Sequence, residues 1–108
     1  MNNVKWEMVR GDTLAFVVQI EGLEDNLSSA KFSCKADATD SNYVFQKTLA
    51  DGITKQSTNK YRVRVAPEDT ATVAPGTYAI DLQIGVGSDI ATPILGTLKI
   101  KQDVSWEE

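Results

Sequence analysis

The sequence predicts an all-β protein folded as a sandwich, and three observations support this. Apolar and polar residues alternate over short segments, which is the pattern of half-buried strands. Turn residues separate these segments at intervals of roughly 8–12 residues, the spacing typical of sandwiches. A polar crossover in residues 65–82 ends in Pro75-Gly76-Thr77-Tyr78 and places a tyrosine just inside the next strand. Such a tyrosine is typical of the corner that closes an immunoglobulin-like sandwich.

The first half of the chain contains four predicted strands. A short strand covers about residues 4–9, and a second covers residues 14–20, where apolar residues recur at every other position. A third covers residues 30–34, and a fourth covers residues 43–49 before the turn pair Asp51-Gly52. The polar residues 56–59 are predicted to form a loop.

The second half contains three more strands, at residues 61–65, 78–84 and 90–100. The crossover that begins at Pro67 is predicted to hold no more than one helical turn, because β-branched residues follow. Gly85 to Asp89 form the tip of a hairpin. Pro93 cannot donate to a central ladder, so the last strand is predicted to lie at a sheet edge or to contain a bulge. The prediction is therefore an immunoglobulin-like β-sandwich of about seven antiparallel strands, with residues 1–108 as a single domain.

The predicted core is built from the apolar faces of these strands. Cys34 lies on the face of Phe32 and is predicted to be a buried structural thiol. The hydroxyl of Tyr78 is predicted to cap a backbone group at the corner, with Gly76 as its structural neighbour. The core set is Phe16, Val18, Ile20, Phe32, Phe45, Tyr61, Val63, Val65, Tyr78, Ile80, Leu82, Ile84, Leu98 and Ile100.

Composition narrows the function classes. The net charge is -4 and histidine is absent, which argues against nucleic-acid binding and removes the commonest general base and metal ligand. No catalytic residues, cofactor or metal are predicted, and a calcium site in the acidic loops is the alternative. The N-terminus lacks the pattern of a signal peptide, and no apolar run approaches the roughly 20 residues of a membrane helix. The expectation is a non-enzymatic protein that binds neither nucleic acid nor membrane.

Two pairs of residues are candidates for protein contact. Arg62 and Arg64 project from the face opposite the apolar residues of their strand, where they form either a solvated face or a contact patch for an acidic neighbour. Lys31, Lys35 and Lys47 are expected nearby. Trp6 and Trp106 lie near the two ends of the chain, and tryptophan is enriched at interfaces. Core closure is the alternative for both tryptophans. If the first and last strands pair in parallel, the two tryptophans are expected to lie far apart and partly exposed.

Arg10-Gly11-Asp12 spells a tripeptide that some adhesion receptors bind. It follows the first strand, where Gly-Asp is a favourable turn pair. A structural turn is therefore the preferred interpretation.

The order of motifs along nearly the whole chain resembles the N-terminal immunoglobulin-like domain of upper baseplate proteins, from phages and prophages of Gram-positive bacteria. The motifs that carry the resemblance are Arg10-Gly11-Asp12-Thr13, residues 47–53, Pro67-Glu68-Asp69-Thr70, residues 75–82 and residues 92–100.

The resemblance implies a structural module of a virion tail or baseplate, made in the cytoplasm of the bacterial host. The implied partners are other tail or baseplate proteins, with self-association as a further option, and the resemblance brings no catalytic residues. A bacterial adhesive or carbohydrate-binding immunoglobulin-like module is the alternative function. It would show exposed aromatic residues on one face or loop tip.

Overall fold

The computed structural model describes residues 2–20, 27–49 and 51–104, which form strands and one helical turn. Their bounds are β1 Asn2–Val9, β2 Leu14–Gln19, β3 Ser29–Lys35, β4 Phe45–Leu49, β5 Gly52–Ser57, β6 Lys60–Val65, α1 Pro67–Thr70, β7 Gly76–Val86 and β8 Asp89–Lys101. Within these ranges no helix is long and apolar enough to cross a membrane.

The strands follow one another in the order β1-β8-β7-β3-β4-β5-β6-β2. The contact between β4 and β5 is short, because it joins only Thr48 to Gly52 and Leu49 to Ile53. There Thr48 and Asp51 exchange backbone hydrogen bonds of 3.0 and 2.9 Å, and Gly52 takes a φ of 101°, which favours glycine. This corner separates a five-stranded layer, β1-β8-β7-β3-β4, from a three-stranded layer, β5-β6-β2.

Aromatic rings show that the two layers face each other. Trp6 on β1 and Phe16 on β2 stand at opposite ends of the strand order, yet their ring centroids are 4.9 Å apart. Phe16 also contacts the ring of Phe32 on β3 at 5.2 Å, in an edge-to-face arrangement. The core therefore lies between the layers, as in a β-sandwich.

The strand count and one pairing direction differ from the prediction. There are eight strands in the described residues, because β5 extends to Ser57 where a polar loop was predicted. Only Ile53 of β5 is buried, so the strand lacks the alternation that reveals a strand in a sequence. β1 runs parallel to β8, from Asn2 opposite Ile94 to Val9 opposite Lys101. The condition of parallel end strands is thus met, whereas β2 with β6, β3 with β7 and β7 with β8 pair in the predicted antiparallel direction.

Pro93 lies at a bulge, as predicted. The register between β7 and β8 shifts between Leu82 and Ile84, so that Thr92 and Pro93 oppose the single residue Gln83. Further along, β8 pairs on both sides, with β1 and with β7. The bulge lets one long strand carry a proline beside an otherwise continuous ladder.

Most of the predicted core is buried. Phe16, Val18, Ile20 and Tyr78 are half-buried and pack against it. The thiol of Cys34 is fully buried, as predicted. Buried apolar residues that the prediction did not name are Met8, Leu27, Ala30, Ile53, Ala66 and Ile94.

The crossover contains one helical turn, α1, as predicted. The carboxylate of Asp69 accepts the N–H of Ala66 at 2.8 Å and forms an ion pair of 2.7 Å with Lys47. Thr70 is fully buried, and its hydroxyl oxygen accepts the N–H of Gly11 at 2.9 Å. The crossover is therefore tied to β4 and to the turn after β1.

Candidate functional site

Arg62 and Arg64 lie on β6, the middle strand of the three-stranded layer. They alternate with buried Tyr61, Val63 and Val65, so their side chains project from the outer face and are exposed. Neither arginine forms an ion pair with another described residue. This placement agrees with the prediction that both arginines project from the outer face of their strand.

The strands around the arginines give this face a positive charge. The residues of β2, β5 and β6 include no aspartate or glutamate, although the chain carries a net charge of -4. Lys60, Arg62 and Arg64 share the outer face, whereas Lys55 lies opposite Tyr61. A guanidinium binds a carboxylate through paired hydrogen bonds, so the face is suited to an acidic surface.

On the β2 side, the immediate neighbours of the arginines are short and apolar. On β2, Val17 lies opposite Arg62 and Ala15 opposite Arg64. Val17 is 49% exposed, which makes it one of the large apolar residues left open to solvent. We call the outer-face residues Arg62, Arg64, Val17 and Ala15 the arginine face. Sequence analysis missed the part played by β2, because the pairing of β2 with β6 is a long-range contact.

Two of the three lysines expected near the arginines lie in the other layer. Lys31 and Lys35 are on β3, in the five-stranded layer, so they belong to the opposite outer face. Lys47 is on β4 and forms the ion pair with Asp69. The expectation is therefore wrong for Lys31 and Lys35, whose strand lies in the other layer, whereas Lys47 lies near the backbone of Arg64 at Gly52 and directs its ammonium to Asp69.

Trp6 packs toward the core. Its ring lies 4.9 Å from that of Phe16 and 6.4 Å from that of Phe32, and the residue is half-buried. These contacts match core closure, the alternative considered for this residue. Trp106 lies outside the described residues, so its expected separation from Trp6 stays a prediction.

At the corner, the hydroxyl of Tyr78 donates a hydrogen bond to the carbonyl oxygen of Ala74. A Cβ added at Gly76 would meet only the Tyr78 ring, at 3.9 Å, which is an ordinary contact. The geometry thus gives Tyr78 a backbone partner and gives no steric reason for glycine at position 76.

The Arg10-Gly11-Asp12 turn is held by contacts within the domain. Arg10 forms an ion pair of 2.8 Å with Asp103. The N–H of Gly11 donates to Thr70, and the N–H of Asp12 donates to the carbonyl of Val9 at 3.0 Å. These contacts support the structural interpretation of the tripeptide.

A second surface lies on the outer face of the five-stranded layer, around Asp81. Burial raises the pKa of the Asp81 carboxyl above its usual value, and nearby Lys35 opposes this rise. A depression of about 90 Å³ beside it is lined by Ser33, Lys35 and Leu95. Exposed Tyr43 adjoins, with the Lys35 ammonium 4.9 Å from its ring centroid. An aspartate inside the apolar alternation of β7 is the signal by which the sequence could have revealed this surface.

Reactive and metal-binding groups are sparse in the part of the chain that the structure describes. Burial raises the pKa of the Cys34 thiol to about 12, so it stays protonated at neutral pH. Among residues 2–20, 27–49 and 51–104, no three histidine, cysteine, aspartate or glutamate side chains are grouped to hold a metal ion.

Comparison with known proteins shows the fold. No protein-family model matches the chain, and no curated protein sequence matches it. A solved structure of the immunoglobulin-like domain of mouse leukocyte-associated immunoglobulin-like receptor 1, a strand-swapped dimer, is similar, with a TM-score of 0.55 and 13% identity over 91% of this chain and 88% of that one. The extracellular domain of the same mouse receptor, also a strand-swapped dimer, gives a TM-score of 0.54 and 12% identity over 98% of this chain and 88% of that one. The predicted immunoglobulin-like β-sandwich is confirmed.

Proposed function

We propose that this domain is a non-enzymatic docking module of a phage or prophage tail or baseplate, and that it binds an acidic surface of another virion protein. The observation that carries the docking role is the arginine face, where Arg62 and Arg64 are exposed and form no ion pair with another described residue, in a layer whose three strands contain no acidic residue. The assignment to a tail or baseplate is supported by the order of turn motifs along the chain.

The physical basis is complementary charge combined with a small apolar contact. Exposed arginines next to Val17 present guanidinium groups and apolar surface together, and arginine is enriched at protein interfaces. A carboxylate of the partner would replace the water around each guanidinium with paired hydrogen bonds. Because the pairs lie on an exposed sheet face, salt should weaken the complex.

The test is co-purification of the chain with the tail and baseplate proteins of its own phage or prophage. The variant is Arg62→Glu/Arg64→Glu, and the matched control is Lys31→Glu/Lys99→Glu, which changes the charge equally on the outer face of the other layer. We expect the arginine variant to lose capture of an acidic tail protein and the lysine control to keep it. Capture that is equal for both variants, or absent with every tail protein, would contradict the proposal.

A second candidate function is carbohydrate binding at the surface around Asp81. The side chain of Tyr43 is 49% exposed and lines a second depression, of about 130 Å³, together with Gln46 and Asp81, whose polar groups can hydrogen-bond sugar hydroxyls. A glycan array would test it. Specific glycan binding that Tyr43→Ala abolishes, together with no tail-protein partner, would favour this candidate over docking.

A further inference from the structure

The β2 strand has an open edge. It stands at the end of the strand order and pairs only with β6 among the described residues. An open edge presents a row of backbone N–H and C=O groups that another strand can bind.

The backbone contacts of the neighbouring loop show which groups point outward. The N–H of Ile20 donates to the carbonyl of Asn59 at 2.8 Å, and the register places these residues opposite each other. In an antiparallel ladder, residues alternate between pairs that exchange hydrogen bonds and pairs that do not. The even-numbered residues of β2 therefore bond to β6. Ala15, Val17 and Gln19 direct their N–H and C=O groups toward the open edge.

The residues of β2 lack the charged side chains, prolines and bulges that block strand addition at many edges. Residues 14–19 of β2 include no charged residue and no proline, and their pairing with β6 is regular. The edge of β1, at the other end of the strand order, carries exposed Lys5 and Glu7. Charged side chains on an edge strand discourage pairing with another chain. β1 is thus protected, and β2 is open to a partner.

The arginine face determines what kind of strand fits. Neighbouring strands lie about 4.8 Å apart, and an arginine side chain is longer than this spacing. Ala15 and Val17 are the residues between the arginines and the open edge, and both are short. The side chains of Arg62 and Arg64 can therefore extend over β2 toward an added strand.

We infer that β2 accepts an extended acidic segment of the docking partner as an additional strand of the three-stranded layer. Residues of that segment opposite Ala15 and Val17 have side chains on the arginine face, because directly opposed residues share a face. Two carboxylates, two residues apart, would then meet Arg64 and Arg62. This inference rests on the proposed docking function and specifies the chemistry and conformation of the partner.

A second copy of the chain is a poorer occupant. Pairing of two β2 edges would place two layers without acidic residues side by side, so each set of arginines would meet further positive charge. Like charges in an extended sheet are destabilising. Charge complementarity therefore selects an acidic segment from another protein.

The test measures binding of a defined peptide to the 108-residue chain by fluorescence anisotropy. The probe is a labelled peptide with the sequence Thr-Glu-Val-Glu-Val-Glu-Thr, and the control peptide has lysine at each glutamate. The variant Val17→Pro removes an outward N–H without removing a bond to β6, and proline is tolerated at such positions of edge strands. Val17→Thr keeps the N–H and is the matched control. If Val17→Pro does not fold, as judged by circular dichroism, Ala15→Pro takes its place.

We expect the wild-type chain and Val17→Thr to bind the acidic peptide, and the proline variant to bind it at least about tenfold more weakly. A tenfold loss corresponds to about 1.4 kcal/mol, which is the size of effect expected from losing one backbone hydrogen bond and misaligning the added strand. Arg62→Glu/Arg64→Glu should also lose binding. Chemical-shift changes in a ¹⁵N spectrum should concentrate on β2 and β6.

Three results would overturn strand addition. Equal binding by the proline and threonine variants would mean that the partner contacts the arginines without pairing to β2, which leaves the docking function intact. No binding of the acidic peptide, or equal binding of the lysine peptide, would show that β2 does not select an acidic segment. Wild-type dimerisation that Val17→Pro abolishes would identify a second copy as the occupant.

Discussion

The backbone of Gly96 lies so close to Val4 that a Cβ on Gly96 would overlap the Val4 carbonyl oxygen. The two residues are opposite each other in the parallel pair of β8 and β1. Glycine at this position allows β1 to pair closely with β8. A larger residue would require the backbone of β1 to shift, because the neighbouring atoms belong to the backbone and not to a flexible side chain.

Gly96→Ala should therefore destabilise the domain by about 1–3 kcal/mol, the usual cost of inserting a methyl group into a tightly packed site. Urea denaturation followed by tryptophan fluorescence would measure the loss. Gly76→Ala is the matched control, because its Cβ makes only the ordinary 3.9 Å contact with Tyr78, and it should change stability by about 0.5 kcal/mol or less. Equal midpoints for Gly96→Ala and the wild type would contradict the close approach of β1 and β8.

Tyr78→Phe should lower the free energy of unfolding by about 1 kcal/mol, through loss of the hydrogen bond to Ala74. Tyr43→Phe is a suitable control, since the Tyr43 hydroxyl has no hydrogen-bond partner among the described residues and the ring itself stays in place. Chemical-denaturation midpoints of the two variants would separate the effects. If Tyr78→Phe matches the wild type, the corner hydrogen bond contributes nothing to stability.

The thiol of Cys34 should make stability depend on pH in the alkaline range. Its pKa is about 12 in the folded state, whereas an unfolded thiol has a pKa of about 8.5. Between these values the folded chain keeps a proton that the unfolded chain loses, so the free energy of unfolding falls as pH rises through this window. In Cys34→Ala, which is less stable overall because of the cavity, the slope with pH should be shallower. Identical slopes for the two proteins would show that burial does not hold the proton on Cys34.

Local features of the sequence were sufficient for much of the fold. Alternation and turn residues together located seven of the eight described strands, and the turn residues around Gly52 and Gly87 were found where positive φ values favour glycine. The β-branched residues after α1 limited it to one turn. The strand β5 was not predicted because Ile53 is its only buried residue. With a single buried position, its sequence shows no alternation of apolar and polar residues.

The candidate site was only partly predictable. The exposure of Arg62 and Arg64 follows from alternation along one strand. Alternation could not show that Val17 lies beside Arg62 or that β2 has an open edge, because both depend on strand pairing. For the same reason the lysines of β3 were wrongly expected beside the arginines.

The sequence by itself determined which residues of each strand face inward and where the chain turns, because these depend on the two-residue period of a strand and on the conformations of single residues. Only the tertiary structure decided which strands share a layer. It placed Lys31 and Arg62 on opposite outer faces, docked β1 in parallel on β8 and left β2 at an edge. These outcomes depend on pairing between residues far apart in the chain, and many such pairings satisfy the same local pattern.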